Sequence, residues 1–356
     1  MKEKIELEDI GWNDFFKEQY ALYKKNSKNY DKNSKAPDDV SHDTDDIPGR
    51  IIQVLSKSYI ALTEFGEMSV KVSGKFRFDS IGRSAYPVVG DWVVMNKNGV
   101  IQMVFPRKSK FSRKVAGKTT KEQVMVANVD IVWIVSGLDS DFNIQRVERY
   151  LTLVSESGAK PVILLNKSDL CKDFDAKIKV IKKIASSVPI HSMSAELNTG
   201  LDVLNQYLKK GKTIAILGSS GVGKSTIINK LLGSERQRVG AVKQDGQGRH
   251  ITTHREMIIF PTGGMIIDNP GIEEVQLWSE GRGVNDVFED IDSLAQKCKF
   301  RNCNHMSEPG CAIKEALDNG ELDSRRYEHY LKLRKETNRL LFRQEQLAKK
   351  RHGSKN

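Results

Sequence analysis

Cysteine is scarce in this chain, four residues in 356. That scarcity excludes a disulfide-framed scaffold, in which bridges stand in for a core. A chain of this length builds its own core and has room for two or three domains. Long apolar runs are missing too: none approaches the ~18 residues that would span a bilayer as a helix. A helical membrane protein is therefore excluded, and no membrane partner is expected. The opening residues, Met1-Lys2-Glu3-Lys4-Ile5-Glu6, are charged and lack the apolar stretch of a secretory signal. The expected location is the reducing cytoplasm. Acidic charge is in deficit, 46 Asp and Glu against 57 Lys and Arg, which leaves a net +11. That balance favours a polyanionic partner over a neutral one.

What the chain does contain is a phosphate-binding loop. Gly218-Ser219-Ser220-Gly221-Val222-Gly223-Lys224-Ser225 completes the G-x-x-x-x-G-K-S/T pattern. The apolar run at 213–217 reads as a strand before it. Thr226 and the residues to Leu232 read as a helix after it, closed by Gly233. Glycines let backbone N–H groups turn inward around phosphate oxygens, and the helix N-terminus adds positive potential. Lys224 is placed to reach the terminal phosphates, and Ser225 to hold Mg²⁺.

The choice of base comes from Asn166-Lys167-Ser168-Asp169, which follows an apolar strand at 161–165. This is the N-K-x-D pattern of guanine-specific NTPases. A carboxylate at Asp169 accepts two hydrogen bonds, from the ring N–H and the exocyclic amine of guanine. Adenine offers no such pair, and a site built around a polar edge rejects an analogue that lacks it. An ATP-driven nucleic-acid enzyme is disfavoured on this ground. Ser194-Ala195-Glu196 then fits the S-A-K/E loop that supports the base.

Downstream, Asp268-Asn269-Pro270-Gly271 is a D-x-x-G motif at a strand end. Asp268 is expected to organise Mg²⁺ through water, and the Gly271 amide to meet a γ-phosphate. Between the two phosphate motifs lies the polar run Gly248-Arg249-His250-Ile251-Thr252-Thr253-His254. One hydroxyl, Thr252 or Thr253, would complete the Mg²⁺ shell only when the γ-phosphate is present, making this a nucleotide-sensing switch.

The order of these motifs is unusual. Common GTPases run from the phosphate loop through the switch and D-x-x-G to N-K-x-D and S-A-x. Here the guanine motifs come first, so the set is circularly permuted. With Gly90-Asp91-Trp92-Val93, Phe111-Ser112-Arg113-Lys114 and Ala127-Asn128-Val129-Asp130, the chain resembles the ribosome small-subunit-dependent GTPase A family of circularly permuted bacterial GTPases. The resemblance spans about residues 50–320. It implies a GTP hydrolase, converting GTP to GDP and phosphate, that binds the small ribosomal subunit and its rRNA late in assembly. An rRNA-binding scaffold with a regulatory, weakly hydrolytic guanine site is the alternative. A monomer is expected.

Water attack needs an orienting group. The residue after the D-x-x-G glycine is Ile272, which cannot hydrogen-bond water. Slow intrinsic hydrolysis and an outside activator are therefore expected. The family's switch carries a histidine at the position of His250, which makes His250 the first catalytic candidate with Lys224 and Thr253; His254 is the second. Ile251 stands where the family pattern has its first threonine, which argues against that position as metal ligand.

Three of the four cysteines fall together with a histidine in the pattern C-x4-C-x-H-x5-C: Cys298, Cys303, His305 and Cys311. Three thiolates and an imidazole make a closed tetrahedral site, so one structural Zn²⁺ per chain is expected. The family resemblance implies a zinc module at the same place. Cys171 stands apart and reads as a free thiol.

The rest of the chain divides around these sites. Residues 1–25 can form a short helix with Ile10, Trp12, Phe15, Phe16, Tyr20 and Leu22 as its apolar positions, followed by a polar linker. Short alternating strands are expected at 50–55, 59–63, 68–72, 91–95 and 100–105. Their pattern suits an antiparallel β-barrel, OB-fold or SH3-like, and the resemblance selects the OB-fold. Lys108, Lys110, Arg113, Lys114, Lys118 and Lys121 follow as a charged linker or an RNA-contacting surface. Strand–helix alternation from about 124 to 283 fits a parallel sheet covered on both faces, with Val147, Tyr150, Leu151 and Val154 on the buried face of a helix at 146–157. Residues 322–356 hold 11 Lys or Arg against 4 Asp or Glu. There Tyr327, Tyr330, Leu331, Leu340, Leu341 and Leu347 recur at helical spacing, suggesting a long basic helix that either meets rRNA phosphates or presents a solvated face. The expected architecture is multidomain: N-terminal helix and linker at 1–47, barrel at 48–112, permuted α/β P-loop GTPase domain at 113–283, and α-helical zinc-binding region at 284–356.

Overall fold

A computed structural model describes residues 4–30, 46–74, 76, 83–114, 122–233, 256–268 and 282–353. His250, Thr252, Thr253, His254, Gly271 and Ile272 lie outside the described residues, as do Lys118 and Lys121.

Five strands form the barrel: β1 (Ile47–Val54), β2 (Tyr59–Thr63), β3 (Gly66–Val72), β4 (Trp92–Met95) and β5 (Val100–Val104). Their order is β1-β2-β3-β5-β4, and β4 returns to pair with β1, which closes the ring. All pairs are antiparallel except β3–β5, which is parallel. This is the OB-like closure expected from the strand spacing and the resemblance. Ile51, Ala61, Val70, Val93, Met95 and Ile101 fill the interior. A Cβ on Gly49 would sit 2.5 Å from Met95 Cε, so a larger residue there would push the Met95 side chain aside. Alternate residues face the other way. Ile52, Leu62, Trp92 and Val94 join a second core with the N-terminal segment and the nucleotide-binding half.

That segment is a 3₁₀ turn, Leu7–Ile10, followed by α1 (Asp14–Tyr30). Trp12 and Phe16 are buried; the Trp12 ring lies 4.7 Å from Trp92 and the Phe16 ring 5.8 Å from Trp92. Leu22 does not share this face and is 53 % exposed. The turn also reaches past the barrel: Gly211 N–H donates to Asp9 O at 2.9 Å.

The basic stretch after the barrel is not a linker throughout. β6 (Lys110–Lys114) and β7 (Glu122–Ala127) form an antiparallel hairpin. Phe111, Val124, Met125 and Val126 are buried, while Lys110 and Ser112 share the Glu122 carboxylate at 2.7 Å each.

The nucleotide-binding half is a sheet of β8 (Ile131–Gly137), β9 (Lys160–Asn166), β10 (Ile190–Ser192), β11 (Thr213–Leu217), β12 (Glu256–Ile259) and β13 (Met265–Asp268). The order is β10-β9-β8-β11-β13-β12, parallel apart from β12. The strands are apolar along their length because both faces are covered. Helices α2 (Ile144–Ser157), α3 (Phe174–Ile184) and α4 (Lys224–Leu232) belong to this half. Asn143 caps α2 by accepting from Arg146 N–H at 2.9 Å, and Gly158 ends it at φ +85°. β12 pairs with β1 through Gln53 and Glu256, so the sheet runs on into the barrel.

The C-terminal region is helical: α5 (Arg282–Val287), α6 (Glu289–Ala295), α7 (Ala312–Asp318) and the long α8 (Ser324–Gly353). Its buried stripe is Arg326, His329, Tyr330, Leu333, Thr337 and Leu340, a ladder of three- and four-residue steps. Leu331 falls off that ladder and is 46 % exposed, which corrects the sequence-derived stripe. Among the described residues no helix is long and apolar enough to cross a membrane.

Candidate nucleotide site and metal centre

The strand C-terminal ends gather the motifs at one edge of the sheet, where ligands of doubly wound sheets bind. The loop of residues 218–225 leaves β11, central in the sheet, and runs into α4, which starts at Lys224. Gly221 and Gly223 hold φ values of +75° and +103°, open to glycine at little cost. A Cβ on Gly223 would lie 2.3 Å from Asn166 Nδ2, so the loop also needs that position bare. Val222 is buried beneath the loop. Lys224 Nζ donates to the Gly218 and Ser219 carbonyls at 2.8 Å each, which keeps the ammonium at the loop's mouth. Ser220 and Ser225 are exposed, and Thr226 is half-buried.

The guanine motif ends β9, two strands away from β11. Asn166 is buried and bridges two loops: Nδ2 donates to Val222 O at 2.8 Å, and Oδ1 accepts from Ala195 N–H at 2.9 Å. The reversed order in the chain therefore leaves the phosphate and guanine loops in direct contact. Lys167 takes a left-handed conformation at φ +61°, and its ammonium donates to Asp139 at 2.7 Å. That contact holds the Asp139 carboxyl below its ordinary range. Ser168 N–H donates to Met193 O at 3.1 Å. Asp169 is exposed on the 3₁₀ turn Ser168–Leu170. Ser194 is buried, its hydroxyl accepting from Leu197 N–H at 3.1 Å. Asp268, half-buried, ends β13, which pairs directly with β11.

With this geometry in view, the similarity to known proteins is decisive. A protein of Opitutus terrae named small ribosomal subunit biogenesis GTPase RsgA is 37 % identical over 345 residues, covering 93 % of this chain and 89 % of the relative. The chain belongs to the RsgA GTPase family. The family's own profile matches residues 104–278. Among solved structures, YjeQ from Thermotoga maritima aligns with a TM-score of 0.59 at 29 % identity, covering 82 % of this chain and 98 % of that one. YloQ, described as a circularly permuted GTPase, aligns at 0.54 and 26 % identity, covering 85 % and 98 %. As a member of the family this chain is a GTP-hydrolysing enzyme with permuted motifs.

The four C-terminal ligands also converge. Their donor atoms all lie within 4.8 Å of one another. His305 Nδ1 is 3.5 Å from both Cys298 Sγ and Cys311 Sγ. A tetrahedral zinc with bonds of about 2.3 Å to sulfur and about 2.05 Å to nitrogen sets that separation near 3.6 Å, so the donor set fits the ion. Burial pushes the Cys298 thiol up, but the Ala312 and Ile313 N–H groups outweigh it and hold the thiol below its ordinary value. Burial beside the other two thiols pushes Cys303 up to about 11. Three thiolates crowded together need a cation to ionise jointly. Glu308 braces the loop, accepting from Asn304, Met306 and Ser307 N–H at 2.8 to 3.0 Å.

Sequence reading missed several residues. Asp139 and Asp141 follow β8 at the ligand-binding edge; their place at a strand C-terminus was the available signal. Asp141 accepts from Ser219 Oγ at 2.5 Å and from Arg146 at 2.6 Å. Arg146, then Ser219, hold its carboxyl below the ordinary range. Glu148 was visible only as a charge interrupting the apolar face of α2. Arg50 gave no signal at all.

Proposed function

We propose that this chain hydrolyses GTP while docked on the small ribosomal subunit and acts in the maturation of that subunit. The observation that carries the reading is Asn166, which locks the guanine loop to the phosphate loop and so joins base selection to phosphate binding in one pocket. In this reading Asn166, Lys167, Ser168 and Asp169, with Ser194 and Ala195, hold the base. Residues 218–226 and Gly271 hold the phosphates. Lys224 exchanges its two loop carbonyls for phosphate oxygens. The hydroxyl of Ser225, the carboxylate of Asp268 and the hydroxyl of Thr252 or Thr253 suit a hard cation, so they would hold Mg²⁺, which supplies charge neutralisation to the phosphates. His250 orients the attacking water in place of a side chain at Ile272. Cys298, Cys303, His305 and Cys311 hold a structural Zn²⁺.

The basic surface of α8, the barrel and the zinc module contact rRNA phosphates. The protein works as a cytoplasmic monomer. Its working units are 1–47, 48–112, 113–283 and 284–356, although β6 runs across the second of these divisions.

The test is GTP turnover with and without purified small subunits, with zinc quantified on the same sample. Strong stimulation by the subunits and one zinc per chain are expected. Turnover indifferent to the subunits would remove the proposed partner. His250→Ala is expected to abolish most of the stimulated rate, and an unchanged kcat would take His250 out of the mechanism.

A further inference from the structure

The nucleotide-binding half and the C-terminal module meet along α2. Two side chains near the start of that helix point opposite ways, because residues two apart on a helix are separated by roughly 200°. Arg146 faces the nucleotide edge and bonds Asp141, which in turn accepts from the phosphate-loop hydroxyl of Ser219. Glu148 faces the C-terminal module and is 1 % exposed. It accepts from Arg326 Nη1, and its other oxygen lies 2.6 Å from His329 Nδ1. Arg326 also grips Asp290 with two bonds, at 2.7 and 2.9 Å, and Val287 O at 2.9 Å. Arg149, next to Glu148 on α2, and Glu336, about two turns beyond His329 on α8, form a two-pronged pair at 2.9 and 3.0 Å.

Apolar packing and ions seat this junction together: Val147, Leu151 and Val154 of α2 share one buried cluster with Val284, Phe288, Tyr330 and Leu333. A cavity of about 610 Å³ opens at the seam, with Phe142, Gln145, Lys183 and Arg325 among its walls. On that side the charge contacts, rather than packed side chains, fix the start of α2 relative to α8. A buried carboxylate with two partners on α8 has few alternative geometries, since breaking either contact strands a desolvated charge. α2 is one unbroken helix of 14 residues, so the seat that α8 gives Glu148 bears on where Arg146 holds Asp141.

We propose that Asp141 is a positioning residue for the phosphate loop, and that α2 carries the seating of the C-terminal module to it, so that this module tunes guanine-nucleotide affinity. The inference rests on the reading of residues 218–225 as the nucleotide cradle. It adds a connection from that cradle to α8 that is separate from the D-x-x-G segment.

The experiment is calorimetric titration of GDP into the full-length, zinc-loaded protein. The variants are Asp141→Asn, Arg149→Glu, Glu336→Arg, the swap Arg149→Glu with Glu336→Arg, and the double variant Asp141→Asn with Arg149→Glu. Arg149 and Glu336 are partly exposed, so these variants can fold where a change at Glu148 would not. Asp141→Asn is expected to weaken GDP about fivefold or more, the lower end for coupled sites. Arg149→Glu should weaken it as well, the swap should restore it, and the double variant should be no worse than Asp141→Asn alone.

Asp141→Asn binding GDP as tightly as the parent, or more tightly, overturns the positioning role and leaves only charge repulsion. Arg149→Glu without effect, or losses that simply add in the double variant, overturn the connection. A parent protein that binds no guanine nucleotide would sink the cradle reading itself, a separate result visible in the control.

Discussion

Arg50 Nη2 donates to Thr213 Oγ1 at 2.7 Å, and that bond joins the barrel to the first residue of the strand leading to the phosphate loop. The same guanidinium donates to the carbonyls of Ile10 at 2.5 Å and Asn128 at 3.1 Å, and more weakly to Gly90 at 3.4 Å. One side chain, 1 % exposed, thus ties the N-terminal turn, the barrel, the connecting segment and the GTPase sheet. Burial lowers its pKa to about 10, still far above neutrality. Removing it strands several desolvated acceptors at once. Arg50→Ala should cost about 3 kcal/mol or more, and Arg50→Lys should recover only part of that because one ammonium cannot reach all four partners. Urea unfolding followed by fluorescence checks this; a loss within about 0.5 kcal/mol would mean the junction is held by something else.

Specificity should turn on a single oxygen. Asp169→Asn replaces an acceptor with an amide that presents a donor to guanine's own donors. Affinity for GTP should fall by at least about 10⁴-fold, the scale of an unpaired polar edge. Xanthosine triphosphate, which carries a carbonyl at the position of the guanine amine, should bind the variant better than GTP does. Competition binding with both nucleotides measures it, and an unchanged preference for GTP would remove Asp169 from the base pocket.

The Cys298, Cys303, His305 and Cys311 cluster should make the C-terminal module depend on metal. Chelation, or Cys311→Ser, should release one zinc per chain and lower the thermal midpoint of that module. Cys311 also caps α7, its Sγ accepting from Lys314 N–H at 3.4 Å, so helix and ion should be lost together. Circular dichroism with metal analysis reports both; full helicity in metal-free protein would contradict the coupling.

Glu308 gives that loop a pH signature. The Asn304 amide, with those of Met306 and Ser307, favours the carboxylate and lowers its pKa from 4.5 to about 2. A group lowered on folding contributes fully above its free value of 4.5 and loses that contribution as pH falls toward 2. At neutral pH the brace is intact. Glu308→Gln should therefore speed zinc transfer to a chelator at pH 7. A Glu308 carboxyl that titrates near 4.5 by carbon NMR would show that the three amides do not bind it.

Much of this was legible because the signals were local. The barrel strands alternate inward and outward residues, and the motif loops are contiguous runs whose chemistry does not need the fold. The hairpin of β6 and β7 was hidden because Lys110, Arg113 and Lys114 surround Phe111, the lone apolar residue of β6, and read as a charged linker. Lys110 is neutralised by Glu122, from the facing strand, a pairing that no window along the sequence displays. The N-terminal helix was foreseen, but the buried positions of that segment are Ile10, Trp12 and Phe16 without Leu22, Trp12 and Phe16 packing on Trp92 and Phe105. Glu148 and Arg326 are 178 residues apart. A charge on an apolar helix face looks like an interruption until its partner arrives from the far end of the chain. Arg50 is the same case in a strand.

The pairing of Gln53 with Glu256 has a mechanical meaning. Thr252 and Thr253, proposed above as ligands to Mg²⁺, stand only a few residues ahead of Glu256 in the chain. With those threonines answering to the γ-phosphate as proposed, a pull on that stretch would pass along covalent backbone into β12, whose outer neighbour is the barrel. Whatever part of that pull β13 does not absorb would arrive at the barrel wall, only a few peptide units from the residues proposed to sense the terminal phosphate.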